Sequence, residues 1–126
     1  MVWGENMVTI LEIKERLLQF GVDSPDDAFL AFLKGKTEER IKAATNLSEV
    51  PDALHYEVIE EVAGAYVTAQ MAVGKIDAER VVKSISEGDT SVTFEAGTDP
   101  VSMLKSYLAK MAIPETMFAR YRVFTW

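Results

Sequence analysis

Residues 51–73, PDALHYEVIEEVAGAYVTAQMAV, leave this chain few options. Leu54, Val58, Ile59, Val62, Ala65, Tyr66, Ala69 and Val73 recur at three- and four-residue steps, the period of a helix. Val67, Met71 and Ala72 fill the flank that a surface helix would keep polar, and only Glu57, Glu60, Glu61 and Gln70 mark an outward strip. A helix apolar on most sides needs other helices around it. The stretch is long enough to span a bilayer, but Asp52, His55, Glu57, Glu60 and Glu61 would each be costly in hydrocarbon. The expectation is a central post inside a helical domain.

The chain has 126 residues, one domain's worth, and is 48% hydrophobic and 10% aromatic, enough to build a core. Without cysteine it has no disulfide framework, no thiol nucleophile and no cysteine metal site. Residues 1–6 carry neither a basic nor an apolar run, so no signal peptide is expected and the setting reads as cytoplasmic. The formal net charge of −7 argues against a general DNA-coating protein, which needs Lys and Arg for phosphates.

Around the central helix the pattern predicts three more. The first covers residues 8–20: Ile10, Ile13, Leu17 and Phe20 form one face with Leu11 and Leu18 beside it, and Gly21 sits where a left-handed cap is wanted. The second covers 25–46, with Ser24 as N-cap, Pro25 at the first position and Asp26 and Asp27 complementing the dipole. Gly35 suggests a kink or break within it. The central helix should stop at Gly74, and Gly64 among alanines would let another helix approach closely. The fourth covers 100–112, capped by Asp99 or Thr98 with Pro100 following, its stripe being Val101, Leu104, Tyr107, Leu108 and Met111. Between them, residues 81–97 mix Ser, Thr and Gly88-Asp89 with β-favouring residues and read as a hairpin or extended arm. Residues 114–126 form an aromatic, basic tail after Pro114. The expected fold class is all-α: a single domain, a small bundle of about four helices with an extended β-hairpin-like arm and a C-terminal tail.

No catalytic constellation, cofactor motif or metal set stands out. His55 is the only histidine, has no partner at motif spacing, and reads as a satisfied structural side chain. Glu57, Glu60 and Glu61 lack the second carboxylate–histidine set of a metal site and read as a solvated or inter-subunit face. The glycines are scattered, without a phosphate loop. Two features invite a functional reading. The arm, with Lys83, Ile85, Glu87, Asp89, Val92 and Phe94, is either a surface hairpin or an element that pairs with a neighbour. The tail, with Met117, Phe118, Arg120, Tyr121, Arg122, Phe124 and Trp126, either caps the core or binds a partner. Its aromatics and arginines, the usual interface anchors, favour the partner.

The succession of SPDDAFLAFL, ERIKAATN, PDAL opening a buried helix, VKSISEGDTSVTF and a last helix with an Arg-Tyr-Arg tail resembles the head–tail connector (adaptor) proteins of tailed bacteriophages and prophages. The likeness runs over residues 8–122 and is most specific at 82–94. The chain departs from shorter family members by its aromatic FTW end. The resemblance implies a homo-oligomeric ring below the portal vertex that extends the DNA channel and joins head to tail. It assigns portal binding to residues 117–126 and contact with neighbouring subunits or the next ring to the arm. The implied partners are further copies of the chain, the portal protein and the next head-completion or tail protein, with DNA passing through the lumen without sequence-specific binding. The implied location is the virion's head–tail junction, after synthesis in the bacterial host cytoplasm, with no membrane, enzymatic activity or cofactor.

Two alternatives come from other classes. A small helical DNA-binding or regulatory protein would need a cationic recognition helix, to which Lys34, Lys36, Arg40 and Lys42 come nearest. An enzyme would need a convergent polar pocket, for which His55 with Glu60 is the only candidate pair.

Overall fold

The computed structural model describes residues 8–88 and 99–123. Among them are six α-helices and one 3-10 turn, with no strand: α1 (Ile10–Leu18), α2 (Asp27–Thr45), the turn Asp52–Leu54, α3 (His55–Ala72), α4 (Ala78–Gly88), α5 (Pro100–Ala109) and α6 (Glu115–Phe118).

The ends of α1 follow from local chemistry. Thr9 Oγ1 accepts from Glu12 N at 3.2 Å, and the Glu12 carboxylate accepts from Thr9 N at 3.0 Å, a reciprocal capping box. At the other end Gly21 adopts φ +82°, with Gly21 N donating to Leu18 O and Val22 N to Leu17 O. That is the Schellman pattern, and it needs the left-handed residue that glycine supplies at no steric cost. Ile13, Leu17 and Phe20 are buried, while Leu11 and Leu18 point to solvent.

The second helix starts two residues later than the Ser24 cap predicts. Asp26 is the N-cap, accepting from Phe29 N, and Pro25 lies ahead of it. A tertiary bond selects this start: Asp26 N donates to the Tyr66 hydroxyl on α3 at 2.8 Å. Gly35 does not break α2, which runs unbroken to the left-handed cap Asn46. Leu30, Thr37, Ile41 and Thr45 form one buried stripe against the rest of the bundle, and Lys34 and Glu38 pair across the glycine. Continuous packing and one (i, i+4) pair offset the roughly 1 kcal/mol that an interior glycine costs.

The central post is α3, which packs against α1, α2, α5 and the 3-10 turn that feeds it. Val58, Ile59, Val62, Ala63, Gly64, Tyr66 and Val67 are buried, and burying each large aliphatic side chain stabilises by about 1.5–3 kcal/mol. Val73, expected on the core face, is exposed beyond the last turn. A Cβ on Gly64 would lie 3.2 Å from Met111 Cβ and 3.5 Å from Leu108 O, so this glycine does admit a close neighbour, the end of α5.

The expected hairpin is corrected over its first half. Residues 78–88 form α4, begun by Asp77, whose side chain accepts from Glu79 N. Ala78, Val81 and Ile85 are buried and Val82 is half-buried; the steps of three and four are helical, and α4 packs on α5. Val, Ile and Ser favour strands only as a weak prior, which burial of one face overrides. The rest of the arm, including Asp89, Val92 and Phe94, lies outside the described residues.

The last predicted helix appears as α5, with Asp99 accepting from Val101 N and Pro100 in the first turn. After Pro114 the chain forms α6 rather than running free. Phe118 is 0% exposed, and Met117 and Tyr121 pack against the same core. The expectation of about four helices therefore falls short by two, α4 and α6.

Candidate functional site

The C-terminal segment is held on the bundle by one buried ring and a charged seam. Arg40 on α2 donates to Glu61 on α3 and, at 2.8 Å, to Glu115 on α6, while its guanidinium lies 5.0 Å from the Phe118 ring centroid. Burial opposes the charge on Arg40, yet the Glu61 and Glu115 carboxylates overcome it and hold the guanidinium above its usual value. Glu61 also accepts from Ile113 N at 2.7 Å, fixing the turn between α5 and α6. Farther along, Val123 N donates to Thr45 O at 2.7 Å and Arg122 Nε to Ala44 O at 3.2 Å. These carbonyls belong to the last turn of α2, where backbone acceptors lack helical partners. The segment thus caps α2.

This arrangement divides the residues expected to bind a partner. Phe118 belongs to the core and is no surface anchor; Met117 and Tyr121 are half-buried; Arg120 and Arg122 are exposed. Phe124 and Trp126 lie outside the described residues. In the arm, Lys83 and Glu87 are exposed on the outer face of α4, and Ile85 is a core residue rather than a contact residue.

His55 has a local role. Its Nε2 lies 2.7 Å from Glu12 Oε2, and its ring meets Tyr56 edge-on at 5.3 Å. The hydrogen bond from His55 is the main reason the Glu12 carboxyl is held below its ordinary value, helped by Thr9 and opposed by burial. Glu60, the partner an enzyme reading would give to His55, instead takes Arg16 Nε at 2.8 Å. Among the described residues no group of three or more His, Cys, Asp or Glu could hold a metal ion.

Among the clefts lined by described residues, two are close to equal in volume. One of about 550 Å³ is lined by Arg16, Gln19, Phe20, Glu60, Ile85 and Tyr107. Its polar groups are spent on one another: Arg16 binds Glu60 and Gln19 and stacks 4.5 Å over Phe20. The other, of about 540 Å³, lies between the loop after α1 and the turn after α3, over the Tyr66 hydroxyl, which accepts from Asp26 N and Gln70. His55 lines neither cleft. The basic run on α2 is similarly engaged. Lys34 pairs with Glu38, Arg40 with Glu61 and Glu115, and Lys42 with Glu39.

The Arg40 seam and the Arg16–Glu60 pair escape sequence reasoning because their partners are far apart along the chain and carry no local spacing signal. Phe118 had one: Pro114 and Glu115 just ahead of it are helix-start residues. No helix among the described residues is long and apolar enough to cross a membrane. Set against known protein families, curated proteins and solved structures, the chain matches none.

Proposed function

We propose that the chain is a structural adaptor subunit of a phage particle, copies of which form a homo-oligomeric ring between portal and tail and extend the DNA channel. The observation that carries this reading is the distribution of exposed apolar side chains. Leu11 and Leu18 on α1, Phe32 on α2, Tyr56 on α3, Val101 on α5 and Val123 in the C-terminal segment are all exposed, spread over four helices and that segment. A ring subunit meets its two neighbours through unlike faces and other proteins above and below, so apolar exposure spread over several elements suits it. The resemblance in motif order points the same way. The net charge of −7 suits the wall of a channel through which DNA must slide without tight phosphate contacts.

In this reading the portal is met by Arg120, Arg122 and Val123 together with Phe124 and Trp126, with Met117 and Tyr121 bracing them. Lys83 and Glu87 on α4, followed by Asp89, Val92 and Phe94, contact neighbouring subunits. The subunit needs no cofactor and catalyses nothing. The DNA-binding alternative is weaker, because three of the four cations it would use are already paired on α2 or across to α3 and α6.

The test is assembly. Sedimentation velocity over a wide concentration range, with electron microscopy of the heaviest species, should show closed rings, and a portal oligomer should retain the chain. A chain that stays monomeric at the highest attainable concentration and ignores the portal overturns the proposal, as does turnover of any small molecule.

A further inference from the structure

We draw no further inference here: the strongest candidate, the exposed apolar ridge of Leu11 and Leu18 on α1 with Phe32 on the adjoining α2, is an unpartnered face, and nothing in the structure shows what covers it.

Discussion

Glu12 serves two helices at once: one carboxylate oxygen closes the capping box of α1 and the other meets His55 at the start of α3. Glu12→Gln keeps a residue able to close the box but loses the charge, so it isolates the contact with His55. Because the folded carboxyl is held below its ordinary value, its contribution is present above the unfolded value and fades as pH falls through the folded one. The side chain is about a third exposed, so solvent screening limits that contribution to a few tenths of a kcal/mol, up to about 1 kcal/mol. Urea unfolding should therefore show Glu12→Gln weaker than the parent at neutral pH and level with it in acid. Glu12→Ala, which also opens the box, should cost about 1 kcal/mol more. Two glycines make a sharper contrast. A Cβ on Gly35 meets nothing within 4 Å on a helical backbone, so Gly35→Ala should stabilise by about 0.5–1 kcal/mol. At Gly21 φ is +82° and a Cβ would lie 2.7 Å from Ser84 Oγ, so Gly21→Ala should destabilise by about 1 kcal/mol or more. Thermal melts of both variants decide the signs.

At the scale of elements, α6 changes what a truncation means. Removing residues 117–126 takes away Phe118, a fully buried ring, and should cost about 3–5 kcal/mol, with visible loss of cooperative melting. Removing only 122–126 leaves that ring, the core-packed Tyr121, Glu115 and the Arg40 seam in place, and forfeits the backbone contacts at Ala44 and Thr45. That shorter cut should cost about 1–2 kcal/mol while keeping the helical circular dichroism. If the proposed function holds, it should also abolish retention by the portal, which separates binding from folding. The opposite stability order, with the long cut harmless, would mean that α6 does not hold to the core. The element boundaries also mark how far the primary pattern could be read. The Schellman glycine Gly21, the stop at Gly74, where φ is +78° and Lys75 N donates to Gln70 O, the Asp99 cap and the central helix are legible, because each rests on neighbours within a turn or two. The start of α2 departs from the Ser24 signal because a hydroxyl on α3 selects Asp26, and α4 departs from the hairpin pattern because β-favouring side chains there bury one helical face.

For the whole molecule, one hydrophobic core links elements from Val8 to Phe118, and α3 touches α1, α2 and α5. A single shared core predicts a single unfolding transition: helical dichroism and tyrosine signals should coincide across a urea titration. Separate transitions would divide the α4–α5 pair from the α1–α2–α3 bundle, despite the packing of α5 on α3. The charge of −7 acts at this scale too, since copies repel one another at low ionic strength. Moderate salt screens that repulsion, so self-association measured by sedimentation should strengthen as salt is added, if apolar faces drive it. Weakening with salt would instead indicate that ion pairs hold the copies together.

The primary structure by itself determined the all-helical class, the buried central helix, the left-handed cap at Gly21 and the stop of the central helix at Gly74. Each of these follows from periodicity or from groups a few residues apart, where geometry is local. Only the tertiary structure decided that residues 78–88 are a helix, that Phe118 is core, and that Arg40 ties α2, α3 and α6 together. Those outcomes depend on which distant surfaces meet: burial of Ile85 and Phe118 and charge pairing across the bundle outweigh local preference, while the helical steps at 78–85 and the Pro114–Glu115 start are compatible with these outcomes without deciding them.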